Sequence, residues 1–186
     1  DGRLRKVRGI LPIAVQAAEM GYDRVIVPRE SVHEASWAEG VRVFGVSDLQ
    51  QLALVLGGGE AASAFEVHGR KYRPAEGTFG CDFSDVAGQP FARRGLEIAA
   101  SGVHNVLLCG PPGSGKSMMS KCLASILPPM TRKEAIETGM IYSVAGLLRD
   151  ESGLPTSRPY RAPHHTASPA AVVGGGVRAM PGEISL

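Results

Sequence analysis

Val106-Leu-Leu-Cys-Gly-Pro-Pro-Gly-Ser-Gly-Lys-Ser117 is the stretch that decides how this chain is read. Within it, Gly110 to Ser117 spells G-x-x-x-x-G-K-S. The run from His104 to Cys109 before it reads as a strand, and Lys116 to Leu127 reads as a helix ended by Pro128-Pro129. Strand, glycine loop and helix in that order are the setting that a phosphate-binding loop requires. Gly110, Gly113 and Gly115 let successive backbone N–H groups turn inward around a β-phosphate without Cβ clashes. The following helix points its positive N-terminus at the same anion. Lys116 adds a mobile point charge for the β- and γ-phosphates and is the residue assigned a catalytic role, while the Ser117 hydroxyl is placed to ligate Mg²⁺. Pro111, Pro112 and Ser114 within the loop, and Met118 after it, are counted with these as nucleotide-binding positions. A chance glycine turn is the competing reading, and the register of strand, motif and helix argues against it. The motif specifies a nucleoside triphosphate and leaves the reaction open.

Composition sets the frame around this loop. The 186 residues give room for one medium domain or two small ones. Hydrophobic residues at 44% and charged residues at 20% fit an ordinary globular protein and exclude a disordered chain. A formal net charge of +2 is too small to argue by itself for nucleic acid or membrane. No apolar run approaches the roughly 18 residues of a membrane span, and no signal peptide is visible. The chain opens at Asp1, so an N-terminal stretch is expected to be missing. Cys81, Cys109 and Cys122 form no C-x-x-C pair and are odd in number, which predicts free thiols in a reducing cytoplasm.

Upstream, residues 1–57 alternate strand and helix signals, the pattern of an α/β layer packing. Leu4 to Val7 reads as a short strand. Ile10, Ile13, Ala14, Ala17 and Ala18 follow helical spacing, with Pro12 in the first turn and Gly21 as the stop. Arg24 to Val27 and Val41 to Val46 read as strands. Ser31 with Glu34, and Ser47 with Gln50, have the spacing of capping boxes for the helices that follow. No nucleophile–base constellation is visible, and Lys6, Glu19, His33 and Glu34 read as scattered surface or packing residues. Arg3, Arg5, Lys6 and Arg8 could meet an acidic partner, but solvated charge along an edge strand is the better reading. Residues 58–80 are rich in Gly, Ala, Glu and basic residues with no sustained period, and read as a connector; its Arg70, Lys71 and Arg73 could meet phosphates, but a solvated linker is the better reading.

The order Gly2-Arg3-Leu4, Arg8-Gly9-Ile10, a helix, Gly21-Tyr22 and Val25-Ile-Val-Pro-Arg-Glu30 resembles the last part of the Lon-protease-like domain. In Lon-type proteases a catalytic lysine stands two residues after the glycine that matches Gly9. Here that position is Leu11, and a hydrocarbon cannot act as a general base, so the resemblance implies a domain without proteolytic activity. The order of the two modules is also the reverse of that in Lon.

Downstream of the connector, Asp85-Val-Ala-Gly-Gln89 resembles the box that contacts adenine in AAA+ ATPases, largely through backbone around Val86 and Ala87. Pro90 opens a helix for which Gly102 is the expected stop. After Pro129, Thr131 and Glu134 form a possible capping box for a helix to about Thr138, Ile141 to Leu148 is apolar, and Arg149 to Ser157 reads as a loop. Ile141-Tyr-Ser-Val-Ala-Gly146, Arg158-Pro-Tyr-Arg-Ala-Pro-His-His-Thr166, Gly174-Gly-Gly176 and Pro181-Gly-Glu-Ile-Ser-Leu186 together resemble the magnesium-chelatase-like AAA+ ATPases of the ComM/YifB family. That family also carries a Lon-like domain first, which accounts for the reversed order. Adjacent His164 and His165 make a poor zinc constellation, since side chains at i and i+1 diverge. A structural or nucleotide-responsive loop is the better reading.

The fold expected from this resemblance is α/β. It comprises the C-terminal end of a Lon-protease-like (S5-like) domain over 1–57, a linker over 58–80, and over 81–186 the first part of a P-loop AAA+ domain with a parallel sheet. The function it implies is a cytoplasmic, hexameric, ATP- and Mg²⁺-dependent motor acting on DNA, such as a branch-migration helicase in natural transformation. A chelatase-type ATPase that remodels a protein complex without DNA is the alternative, and no membrane association is expected. In this family the Walker B strand, sensors and arginine finger follow the position of Leu186. The expectation is therefore a fragment open at both ends that binds ATP weakly and does not turn it over.

Overall fold

A computed structural model describes residues 2–74, 80–148, 153–175 and 180–186. It is a mixed α/β structure that includes a three-stranded sheet. Gly9 at φ 77° opens α1 (Ile10–Glu19), whose Ile10, Leu11 and Ala14 turn inward. β1 (Arg24–Pro28) follows, then a 3-10 turn (Arg29–Ser31), α2 (Val32–Ala35) and β2 (Arg42–Val46). β1 and β2 pair in parallel with Val25 opposite Val43 and Ile26 opposite Phe44, so α2 lies in the crossover between them. α3 (Leu49–Gly57), α4 (Glu60–Ser63) and β3 (Glu66–Val67) come next, and β3 adds to β2 antiparallel.

The pleat divides the core. Val27 and Val43 face Ile10, Ala14, Val32, Ala35 and Ala38 on one side, while Phe44 and Val46 face Val55, Leu52 and Phe65 on the other. β2 is the central strand and is buried from Val43 to Val46. Gly45 lies where an added Cβ would stand 2.9 Å from Val32 Cγ2 and 3.2 Å from Val32 Cβ. A β-branched side chain has no flexible end to withdraw, so Gly45→Ala should destabilise the protein by about 1–3 kcal/mol. Chemical denaturation measures this, and a variant as stable as the parent would mean that α2 is packed less closely.

Several sequence expectations shift here. Leu4 to Val7 forms no strand; Arg3 before it bridges Asp48, and Leu4 N donates to Ser47 O (2.8 Å). The connector is not featureless, since α4 and β3 both fall within 58–80; residues 75–79 lie outside the described residues. The cap of α3 is Asp48, whose Oδ1 accepts from Gln51 N (2.9 Å) while Gln51 Oε1 accepts from Ser47 N (2.8 Å). This is a capping box displaced by one residue from the Ser47–Gln50 reading, because carboxylate and hydroxyl compete for the same role. Ser31 does not cap α2 through its side chain. Glu34, its expected partner, is buried and accepts instead from the backbone N–H of Leu11 (3.0 Å) and from the Ser143 hydroxyl.

Ser143 lies on α7 (Arg132–Ala145), which continues past the expected end at Thr138 into the apolar run. Between α4 and α7 in chain order come α5 (Pro90–Gly102) and α6 (Lys116–Ile126). α7 packs on α1, with Gly139 against Leu11 and Leu154. α8 (Pro169–Val173) leads into a small hairpin of β4 (Gly174–Gly175) and β5 (Met180–Pro181). The Arg149–Ser157 loop lies partly, and Gly176 wholly, outside the described residues.

By spatial contact the chain forms two units: residues 1–72 with 132–155 and 163–186, and residues 73–131 with 156–162. The named strands all belong to the first; among the described residues the second is built from α5, α6, a 3-10 turn and loops.

Candidate nucleotide site

In the second unit, Asp82 caps a 3-10 turn (Phe83–Asp85) by accepting from Ser84 N (2.8 Å), while Asp85 Oδ2 accepts from Asp82 N (2.9 Å). The hydrogen bond from the Ser84 backbone, followed by that from its side chain, holds the Asp82 carboxyl below its ordinary range. This turn delivers Phe83 and Val86 into a core shared with Leu96 of α5 and with Met119 and Cys122 of α6. Phe83 N donates to Ser125 Oγ (2.9 Å), fixing the turn to α6 a second time.

Val86 and Ala87 therefore sit differently. Val86 is buried, its N–H donates to Phe83 O (3.3 Å), and its carbonyl accepts from Arg93 Nη1 (3.0 Å). Ala87 is exposed, and the chain then turns through Gly88 and Gln89 at positive φ into α5. Arg93, which also lies over the Phe83 ring at 5.4 Å, was not singled out by sequence reasoning. Its position one turn into α5 is a signal that could be read only once the path of Val86 is known.

α5 ends one residue later than its glycine suggests. Gly102 stays helical, and the His104 ring folds over the place where a Cβ would stand. Val103 takes the left-handed conformation instead, at φ 54°, and is 90% exposed. A β-branched residue there carries about 1–2 kcal/mol of steric cost. Val103→Gly should accordingly raise stability by about 1 kcal/mol in urea unfolding, and a lower midpoint would contradict the left-handed assignment.

The segment from His104 to Cys109 is not a strand. No described strand lies in its unit to pair with, so its backbone has no ladder to join. Leu108 packs toward the Phe83 core, whereas Val106 and Leu107 are exposed, Leu107 to 87%. The parallel sheet expected around the loop is accordingly not seen among the described residues.

The loop itself is closely defined. Gly113 and Gly115 have φ 78° and 83°, and neither has an atom within 4 Å of where a Cβ would stand. Gly110 is constrained differently, by Ser114 Oγ at 3.1 Å from its would-be Cβ. Pro111 O accepts from Ser114 N (3.3 Å), closing the turn across Pro112. Lys116 bends back beneath it, its ammonium donating to Gly110 O (2.9 Å), Pro111 O (2.7 Å) and Ser114 Oγ (3.1 Å). α6 starts at Gly115 with no side-chain cap. Ser117 and Met118 on its first turn are exposed, while Met119 turns into the core. Loop, lysine and uncapped helix start thus converge at one end of α6, and Val86 packs in the core that α6 helps to form.

His164 and His165 stack at 4.2 Å between ring centroids, and His164 Nδ1 is engaged by Thr166 Oγ1 (2.7 Å) and Thr166 N (3.3 Å). No cluster of His, Cys, Asp or Glu able to hold a metal occurs among the described residues. The cysteines are not all free: Cys81 and Cys122 form a disulfide, and Cys109 alone is free and exposed. A separation of 41 residues gives no sequence signal for this pair, which arises because the turn at Phe83 packs on α6. Among the described residues no helix is long and apolar enough to cross a membrane.

Comparison with known proteins agrees with the order of motifs. Competence protein ComM of Haemophilus influenzae is 40% identical over 188 residues, covering 100% of this chain and 36% of that protein. The uncharacterized protein YifB of Escherichia coli is 38% identical over 185 residues, covering 35% of its length. An archaeal Lon protease of Archaeoglobus fulgidus is 40% identical over 57 residues, 31% of this chain and 8% of the protease. The chain thus spans about a third of the length of its ComM and YifB relatives. Residues 82–186 match the family described as magnesium chelatase, subunit ChlI, and with ComM and YifB similar over its whole length the chain belongs to that chelatase-like family.

Proposed function

We propose that Gly110 to Ser117 binds the phosphates of ATP, with Mg²⁺ on the Ser117 hydroxyl. The observation that carries this reading is the placement of Lys116, whose ammonium gathers the Gly110 and Pro111 carbonyls and the Ser114 hydroxyl beneath the loop. The donor set fits the group. Open space above Gly113 and Gly115 admits phosphate oxygens, and the uncapped start of α6 offers N–H groups and positive potential to them. ATP, when bound, supplies the anhydride whose cleavage drives work; the residues of this chain bind and orient it. Lys116 exchanges loop acceptors for phosphate oxygens, which are stronger acceptors because they are charged. Since the Val86 N–H and carbonyl are already engaged, recognition of the base falls to the exposed backbone at Ala87. Calorimetric titration of the chain with ATP and Mg²⁺ tests this. Saturable binding that weakens on magnesium removal supports the site, and no binding at millimolar nucleotide rejects it.

For the whole protein the reading extends to a cytoplasmic, hexameric AAA+ ATPase acting on DNA as a branch-migration motor. Its modules would be a non-proteolytic Lon-like region over 1–57, a connector over 58–80 and AAA+ sequence over 81–186. The competence name of the ComM relative supports the DNA partner, and the likeness to a Lon protease supports the first module. Leu11, fully buried, supports the loss of proteolysis. The chelatase description of the family favours a second reading, an ATPase that remodels a protein complex. ATPase rates of the full-length protein with single-stranded and branched DNA separate the two. Stimulation that fades with salt supports the motor, and indifference to DNA at low salt supports the remodelling enzyme.

A further inference from the structure

The disulfide has a place in the architecture that its sequence spacing conceals. Its two cysteines lie 41 residues apart with Cα atoms 5.1 Å from one another. The loop it closes contains Val86, Ala87, all of α5 and the whole of Gly110–Ser117, so each position assigned to ATP lies inside it. One end, Cys122, is fully buried in α6, and the other, Cys81, is half-buried just before the turn that carries Val86. The core of Phe83, Val86, Leu96 and Met119, together with the Phe83–Ser125 hydrogen bond, holds the same two segments together independently of sulfur. Packing and that hydrogen bond favour bringing the two thiols together, and the disulfide adds a covalent restraint to contacts that noncovalent forces also make.

We propose that Cys81 and Cys122 are a reversible thiol–disulfide site, closed by a hydroperoxide and opened by a small thiol, that clamps the segment before Val86 onto α6 and tunes nucleotide affinity. The second half of this statement rests on the ATP reading above. Accessibility assigns the order of events. The Cys81 thiolate attacks a peroxide oxygen, an S–O bond forms as the O–O bond breaks, and water or alcohol leaves with a proton from solvent. The Cys122 thiolate then attacks the Cys81 sulfur, the S–S bond forms, the S–O bond breaks and a second water leaves. Two thiols are oxidised and one peroxide is reduced. Opening reverses the oxidation state at the expense of two equivalents of small thiol, which attacks at the accessible Cys81 sulfur. In a reducing compartment such a pair rests open and records oxidant by closing. Closing restricts the unfolded chain and preorganises the base-contacting segment, so the oxidised form should be harder to unfold and bind ATP more tightly.

The test uses the chain with Cys109→Ser, so that only two cysteines remain. After exposure to one equivalent of hydrogen peroxide, the protein is unfolded and alkylated with N-ethylmaleimide, and its mass is measured. The expected result is no alkylation after peroxide, double alkylation after dithiothreitol, and a higher denaturation midpoint for the oxidised form. Double alkylation after peroxide overturns the site. In the second arm, ATP affinity should fall about five-fold on reduction, and Cys81→Ser should match the reduced form with or without peroxide. Equal affinities in both redox states overturn the tuning role. If the bond forms and raises the midpoint while neither form binds ATP, the nucleotide reading fails and the oxidation site stands.

Discussion

If Gly110 to Ser117 holds ATP as proposed, Lys116→Ala is expected to weaken its binding by about 2–3 kcal/mol, roughly 30- to 150-fold, because the charged donor proposed to meet the phosphates is lost. The same change leaves the Gly110 and Pro111 carbonyls and the Ser114 hydroxyl without the ammonium that gathers them, so the loop also loses its preformed shape. Lys116→Arg should not restore affinity. The convergent acceptors match a compact ammonium with three rotatable donors, whereas a guanidinium is planar and forked. Stability is expected to change little, since the lysine is not part of the Phe83 core. Calorimetry of the alanine and arginine variants beside the parent, with the unfolding midpoint as a control, gives both readings. An alanine variant that binds ATP like the parent, with an unchanged midpoint, would remove the loop from the nucleotide site.

What was legible in the sequence, and what was not, divides along the range of the forces involved. α1, β1, β2, α5 and α6 follow from apolar spacing and from glycine and proline punctuation, which act within a few residues. The loop glycines were legible for the same reason: positive φ at Gly113 and Gly115 is a local demand. Expectations failed where a residue's partner lies far along the chain. Glu34 has the spacing of a capping box with Ser31, yet its carboxylate is taken by Leu11, 23 residues upstream, and by Ser143, 109 residues downstream. Cys81 and Cys122 look unrelated until the Phe83 turn packs on α6. His104 to Cys109 has strand composition, but a strand is a pairing, and among the described residues of its unit no partner strand is present. Val103 shows a subtler conflict. Gly102 is the better left-handed residue, yet it lies under the His104 ring, where there is no room for a side chain, and Val103 takes the strained φ.

The Glu34 carboxylate carries the second large prediction. α1 begins at Gly9, which has no side chain to cap the helix, and Leu11 on its first turn is fully buried. An unpaired N–H there would cost about 1–3 kcal/mol, because water cannot reach it. Glu34 Oε1 meets that N–H from α2 and accepts the Ser143 hydroxyl from α7 on the same oxygen. One side chain thus ties three helices of the first unit. The adjacent backbone bond from Gly9 N to Ser143 O (3.2 Å) holds α7 at the same point. Glu34→Ala should therefore destabilise this unit by about 3 kcal/mol, leaving two buried donors without acceptors. Glu34→Gln keeps a carbonyl oxygen in place and should cost only about 1 kcal/mol. Ser143→Ala should fall between them, and the Glu34→Ala, Ser143→Ala double variant should cost less than the sum, because a hydroxyl with no acceptor is itself removed. Urea denaturation of the four variants gives these values directly. A Glu34→Ala change below about 0.5 kcal/mol would mean that the carboxylate does not serve α1, and α7 would then be held to α1 by the Gly9–Ser143 backbone bond and the contact of Gly139 with Leu11.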